Sequence, residues 1–339
     1  MSNMKIEYVA TFLPAIEEEL RQAILQSNGP TLEEYRTMLA YHLGWEGEGV
    51  GPETRGKRVR PTIVLLTCAA AGGEWQHALP AAAAVELVHN FSLIHDDIQD
   101  NSPLRRGRPT VWKRWGIAQA INAGDAMFTL AHISLLRLEG TALPGIAIQA
   151  ARILQLACLH LTEGQFLDLA YETHGNLSLE AYWQMVGGKT AALLAACTEL
   201  GALVARASDS RREAYRQFGF SLGMAFQARD DILGIWGNSA LTGKSAESDL
   251  LSGKKSLPVL YGLTQKGAFV KRWSQGPVSP EEIQSLAAQL EAEGGRTYAQ
   301  AAASRMTDQA LQALDDAQPQ GEAGQALIEL ANHLLGRQE

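Results

Sequence analysis

The residues most able to do chemistry form two acidic clusters, each followed closely by basic residues. The first ends the stretch Glu86-Leu-Val-His-Asn-Phe-Ser-Leu-Ile-His-Asp-Asp-Ile-Gln-Asp100. On a helix, Asp96 and Asp100 lie one turn apart on a shared face. Two carboxylates so placed repel, and the negative end of the helix dipole adds to the cost. A cation relieves it, and oxygen ligands that leave room for water and phosphate suit Mg²⁺. An exposed acidic helix end would explain these acids equally well. Arg105, Arg106 and Arg108 follow within a few residues. Acids that hold a metal beside arginines that hold oxyanions describe a diphosphate site.

The second cluster, Asp230 and Asp231, comes late in the segment Gly223–Gly234, with Asp231 one turn after Gln227. Lys244, Asp249, Lys254 and Lys255 come after it. Two acid-ended helices of this kind are expected to face each other across one cavity, with metal ions bridging both walls and a diphosphate. A basic loop, Gly56-Lys-Arg-Val-Arg-Pro61, precedes both clusters. With Gly51 it has the GxxxxGK spacing of a P-loop. That reading fails because Arg58 stands where a metal-binding Ser or Thr is required and no strand leads into the loop. A second diphosphate pocket of Lys57, Arg60 and His89 fits better. His89 lies seven residues before Asp96 and so shares its face, although a lone histidine there is more often a hydrogen-bonded core residue. Lys189 and Thr190, after Gly187-Gly188, add a further cation and a hydroxyl.

The elements that must position these residues read as helices almost throughout. The chain has 339 residues, 46% of them hydrophobic, enough for a packed core. Alanine and leucine dominate and β-branched runs are scarce, which favours helix. Helices are expected at Glu7–Ser27, at 32–43 behind a Thr31/Glu34 capping box, from Pro61 to Ala71, and from Pro80 to Asp100. More are expected at 116–138, 144–170, 178–206, 210–235 and 255–265. Another runs from the Ser279-Pro280-Glu282 start to Glu293, and the last span Gly295–Leu335. Gly44–Gly56, Asn101–Pro109 and Asn238–Gly253 read as loops. No alternating strand pattern appears, and the whole chain, 1–339, reads as one all-α domain.

The net charge of −8 argues against a nucleic-acid coat and makes local basic clusters informative. Cys68, Cys158 and Cys197 lie far apart in apolar surroundings and read as buried thiols, with neither a disulfide framework nor a zinc site. No leader and no apolar run long enough for a transmembrane segment is apparent, so a cytoplasmic protein is expected.

Taken together, these motifs resemble the trans-isoprenyl diphosphate synthases, or polyprenyl synthetases. The resemblance covers about residues 50–265 and includes the GKRxRP loop, His89, HDDxxD, LRRGxPT (Leu104–Thr110), GDA (Gly124–Ala126), GQxxDL (Gly164–Leu169), GKT (Gly188–Thr190), FQxxDD and GKxxxxDLxxGKxSLP. It implies an all-α isoprenoid synthase bundle around a central cavity, usually a homodimer. It implies Mg²⁺ on Asp96, Asp100 and Asp230, with Asp97 and Asp231 supporting the metal. Arg105, Lys189, Gln227 and Lys244 would surround an allylic diphosphate; Lys57, Arg60, His89 and Arg106 would hold isopentenyl diphosphate; and Thr190 and Lys254 would join the substrate-binding residues. The implied reaction is a Mg-dependent prenyl transfer joining the two. One departure stands out: Gly234 occupies a place where many members carry a third aspartate, which puts a metal role at that position in doubt.

In this family, bulky residues upstream of the first motif form the floor of the chain pocket. Phe91 and Ser92 lie five and four residues before Asp96, and five residues of helix rise about 7.5 Å. An aromatic there, with no insertion between Asp97 and Asp100, resembles geranylgeranyl (C20) diphosphate synthases, with farnesyl (C15) as the alternative. A class I terpene cyclase and a non-catalytic regulatory subunit are the rivals. The chain lacks an Asn/Ser/Glu metal triad at usable spacing, against the first. Its intact acidic and basic motifs weigh against the second.

Overall fold

A computed structural model describes residues 3–26, 29–141, 145–173, 177–237 and 248–336. The helices are α1 (Asn3–Ile24), α2 (Glu33–His42), α3 (Pro52–Arg55), α4 (Val59–Ala70), α5 (Leu79–Gln99), α6 (Val111–Trp115), α7 (Ile117–Leu136), α8 (Ile146–Thr173) and α9 (Leu179–Val186). They continue with α10 (Ala192–Val204), α11 (Asp209–Trp236), α12 (Ser248–Leu251), α13 (Leu257–Thr264), α14 (Ala268–Trp273), α15 (Ile283–Ala292), α16 (Gly295–Asp316) and α17 (Gly321–Leu335). The fold is all-α, as the composition implied.

Two compact units divide the chain. The first comprises residues 1–155, 197–212 and 318–327; the second comprises 156–196, 213–317 and 328–339. In the first, Phe12, Ile16, Leu20, Leu39, Leu43, Ile63, Leu65 and Leu87 are fully buried. Each such side chain contributes roughly 2 kcal/mol through burial. In the second, Tyr182, Met224, Ile232, Leu257 and Ala299 form one apolar cluster, and Ile235, Leu250, Val259, Phe269 and Leu290 another.

Several expectations need correction. Thr31 does not cap α2: Pro30 opens a 3₁₀ turn over Pro30–Leu32, which carries Thr31 inside the turn, and Leu32 precedes the helix. Pro61 does not open α4, which starts at Val59; Pro61 sits in its first turn, where a missing N–H costs nothing. The stretch 178–206 breaks into α9, a π turn over Gly187–Ala191, and α10. The last helices do run over Gly295–Leu335, as α16 and α17, parted where Gln318 takes a left-handed φ of 52°. The polar loop after Asp100 holds a hairpin, β1 (Leu104–Arg105) against β2 (Arg108–Pro109). Its turn residues Arg106 and Gly107 both have positive φ, 51° and 75°, as the tight hairpin turn requires. The Ser279/Glu282 capping box does form, ahead of α15.

The three cysteines are buried free thiols, and burial pushes each up to about 12. Among the described residues no helix is long and apolar enough to cross a membrane.

Candidate functional site

In the first unit, α5 carries the first acidic cluster. Pro80 starts it, an alanine run extends it, and the Asp100 N–H closes onto the carbonyls of Asp96 and Ile98. Asp96 is half-buried, Asp97 buried and Asp100 exposed. Asp97 turns away from the role of a simple acid. Arg105 Nε donates to both its oxygens at 2.9 Å, and Nη2 lies 2.8 Å from Oδ1. Burial raises the Asp97 pKa and Arg105 opposes the rise. A carboxylate gripped by a guanidinium fork holds that arginine in place.

Arg106 leaves the hairpin in a different direction. Its Nη1 donates to the Thr54 carbonyl at 3.0 Å, and its guanidinium lies where a side chain on Gly56 would be, 2.6 Å from the position of a Cβ. Gly56 has φ 77°, so both space and backbone call for glycine there. The neighbouring loop is anchored by Arg58. This residue is buried at φ 45° and donates to Glu17 Oε1 and Glu86 Oε1, both at 2.8 Å, and to the Leu43 carbonyl at 3.1 Å. Arg58 therefore fixes the end of the loop that carries Lys57 and the first turn of α4, which carries Arg60. Lys57 is exposed. Arg60 Nη1 lies 3.2 Å from His89 Nε2. Burial, then Arg60, Arg106, Arg105 and His42, hold the His89 pKa well below the usual range. A neutral His89 accepts from Arg60 when its own proton sits on Nδ1.

Deeper on the same helix, the Phe91 ring lies against His95 (centroids 4.8 Å apart) and Phe128 of α7 (5.0 Å). Ser92 Oγ donates to the His89 carbonyl at 2.9 Å. His95 itself fills the space over Gly124, and its Nε2 is 3.7 Å from Asp125 Oδ1. The HDD and GDA motifs thus meet in space.

In the second unit, α8 and the π turn touch backbone to backbone. A Cβ on Gly188 would lie 2.6 Å from the His160 carbonyl and 3.0 Å from Gly164 Cα. This approach brings Lys189 onto Asp168, one turn beyond Gly164, and the two form an ion pair. Thr190 Oγ1 donates to Gln227 Oε1 at 3.1 Å, and Gln227 Nε2 donates to Asp231 Oδ1 at 3.0 Å. Asp231 also accepts from the Tyr182 hydroxyl (2.6 Å) and the Leu257 N–H (2.8 Å), and is 1% exposed. It is a satisfied buried carboxylate that fastens α9, α11 and α13 together. Asp230, next to it, is half-buried.

Lys254 Nζ stands 3.6 Å from Asp231 Oδ1 and 3.7 Å from Asp249 Oδ2. Burial works against its charge, but Asp231, Asp249, Asp230 and Asp168 together raise its pKa above the lysine range. The space beside Gly234 is filled by Asp249: a Cβ there would lie 2.6 Å from Asp249 Cγ and collide with its carboxylate. Lys244 lies outside the described residues.

Sequence reasoning did not single out Asp168, Tyr182, Glu17, Glu86 or Asp249 as partners in these sites. Asp168 and Asp249 were visible as letters in motifs; the others carry no local signal. Among the described residues, no three His, Cys, Asp or Glu side chains come close enough to hold a metal ion unaided. In the first unit Asp96, near the end of α5, and Asp100, just past it, offer carboxylate oxygens, and in the second Asp230 offers another; such oxygens are the donors that hard divalent cations take.

The polyprenyl synthetase family model matches residues 52–290. The (2E,6E)-farnesyl diphosphate synthase of Mycobacterium tuberculosis is 41% identical over 89% of this chain and 86% of its own. The geranylgeranyl diphosphate synthase of the same organism is 39% identical over 91% and 93%. Among solved structures, a polyprenyl synthetase from Streptomyces coelicolor superposes with a TM-score of 0.85 at 37% identity, covering 95% of this chain and 97% of its own. A geranylgeranyl pyrophosphate synthetase from Pyrococcus horikoshii gives 0.88 at 29%, covering 99% and 98%.

Proposed function

Because the chain belongs to the polyprenyl synthetase family and is a short-chain isoprenyl diphosphate synthase, we propose that its product is geranylgeranyl diphosphate, the C20 chain. The observation that carries this reading is the Phe91 ring, braced between His95 and Phe128 about 7.5 Å of helix below Asp96. A growing hydrocarbon that descends along α5 meets this ring. Farnesyl diphosphate is the second reading, favoured by the name of the 41% identical relative.

In the first unit we assign Asp96 and Asp100 to the metal, Arg105 to the allylic diphosphate, and Lys57, Arg60, His89 and Arg106 to isopentenyl diphosphate. In the second we assign Asp230 to the metal and Lys189, Thr190, Gln227, Lys244 and Lys254 to the allylic diphosphate. Asp97 and Asp231 act by holding Arg105 and Gln227. The family works with a divalent metal ion, and we assign Mg²⁺. When bound, the ion supplies positive charge to the departing diphosphate. The chain's cations add preorganised donors at the same charge, which favours breaking the allylic C–O bond. Arg60, held by His89, fixes the second diphosphate so that its alkene is aligned for attack. Proton loss then gives the longer allylic diphosphate; the released diphosphate is the base, and no side-chain nucleophile is required. Apolar walls such as Phe91 and Phe128 keep water from the cation.

A homodimer acting in the cytoplasm completes the reading. Ile117 and Ile121 lie exposed one turn apart on α7, an apolar strip suited to a second copy, and the buried free thiols suit a reducing compartment.

Incubation with isopentenyl diphosphate, an allylic primer and Mg²⁺, followed by chromatography, is expected to give C20 as the main product. Phe91→Ala is expected to shift products to longer chains. A C15 product from the unaltered chain favours the farnesyl reading, and an unchanged product length in Phe91→Ala removes the floor.

A further inference from the structure

The hairpin that presents Arg105 and Arg106 is short and heavily charged. Arg105 pairs directly with Arg108 across it, and like charges in opposed positions destabilise a strand pair. Its two-residue strands give it little rigidity of their own. A narrow cavity lined by Tyr41, His42, Thr54, Arg105, Arg106 and Arg108, among others, adjoins it.

One residue of α2 holds the return strand and Arg108 together. Tyr41 is 5% exposed. Its hydroxyl donates to the Pro109 carbonyl at 2.8 Å, gripping the return strand. The Arg108 guanidinium lies over its ring, 3.9 Å from the centroid, and Arg108 Nη1 donates to its carbonyl at 3.3 Å. Arg108 Nη2 goes to the Glu46 carbonyl at 2.5 Å. Arg114 lies over the same ring at 4.8 Å, and Trp115 meets it edge-on at 5.1 Å. Arg108 thus spends both terminal nitrogens on backbone carbonyls and lays its guanidinium on a π face.

We propose that Tyr41 is a positioning residue for diphosphate binding, which draws Arg108 aside and clamps β2 so that Arg105 and Arg106 stay aimed. This rests on the assignment of Arg105 and Arg106 to the substrates' diphosphates. Tyr41 itself touches no substrate. Without its ring, Arg108 loses the π face that its guanidinium lies on, and with it the contact that holds its charge on Tyr41. Without its hydroxyl, the strand end loses one tether.

The test compares Tyr41→Phe, Tyr41→Leu, Arg108→Ala, Arg106→Ala and the double variant Tyr41→Leu/Arg108→Ala. Steady-state kinetics with both substrates are combined with calorimetric binding of inorganic diphosphate in Mg²⁺. Tyr41→Phe, which deletes one neutral hydrogen bond, is expected to raise KM for isopentenyl diphosphate about fivefold. Tyr41→Leu also deletes the cation–π contact and is expected to raise it about thirtyfold, with kcat changed less than about threefold. Diphosphate binding should weaken in the same order. The double variant should be less impaired than the sum of its parts, because removing Arg108 removes the charge that the ring restrains. Tyr41→Phe keeps the packing and serves if Tyr41→Leu does not fold. A lowered melting temperature with unchanged KM and diphosphate affinity in both Tyr41 variants, while Arg106→Ala raises KM, overturns the clamp alone. An unaltered KM in Arg106→Ala overturns the site assignment and the clamp with it.

Discussion

At residue scale, Gly234 shows how an absent side chain can be replaced in space. The missing third acid of the second motif leaves room that the Asp249 carboxylate enters. Gly234→Asp therefore crowds two carboxylates against each other and against Asp231, whose charge Lys254 already shares with Asp249. The expected outcome is a loss of about 1–3 kcal/mol in stability, as for other overpacked sites. Chemical denaturation would measure it, and Asp249→Ala in the same chain should restore part of it. The sequence made the acids legible because charge at helical spacing needs no tertiary information. It could not show that Asp249 folds back over Gly234. Nor could it show that Asp97 serves Arg105 with both oxygens, because such pairings depend on the path of the chain between them.

At the scale of elements, the helices were legible and their interruptions were not. Periodicity carries through 178–206, but the π turn at Gly187–Ala191 inserts its extra residue without disturbing the apolar pattern enough to be seen. The hairpin was hidden because two-residue strands have no alternation to read; only Arg106-Gly107 hinted at the turn. The π turn matters because it presents Lys189 and Thr190 where α8 comes closest. Gly188→Ala sets a methyl group against the His160 carbonyl and Gly164 backbone, neither of which is a flexible side-chain end. A destabilisation of about 1–3 kcal/mol is expected from such overpacking. Displacement of Lys189 should raise KM for the allylic substrate. Urea denaturation and steady-state kinetics check the two parts separately, and an unaffected KM would mean that the close approach serves packing alone.

At the scale of the molecule, two half-buried histidines couple folding to pH. His42 and His89 are both held well below the ordinary value of 6.5. Burial is the main cause, followed by arginines: Arg105, Arg106, Arg58 and Arg108 around His42, and Arg60, Arg106 and Arg105 around His89. Below pH 6.5 the unfolded chain binds protons on these rings and the folded chain does not, so stability falls as pH falls through that value. Each ring contributes a slope of up to about 1.4 kcal/mol per pH unit there. Urea titrations between pH 7.5 and 5.5 should show stability declining toward acid, and His42→Asn should make the decline shallower. A flat profile would mean that both rings titrate normally in the folded chain.

The Arg58 triad sets a practical limit on where the chain can be cut. The family model begins at residue 52, after Glu17, which supplies one of the two carboxylates that neutralise Arg58. A shortened protein whose boundary follows that alignment would leave a buried guanidinium with half its counter-charge, and removing one partner of a buried pair costs about 3–5 kcal/mol. The damage would fall on the loop bearing Lys57 and on the start of α4 bearing Arg60, so the helix that carries no recognisable motif belongs to the minimal catalytic fragment.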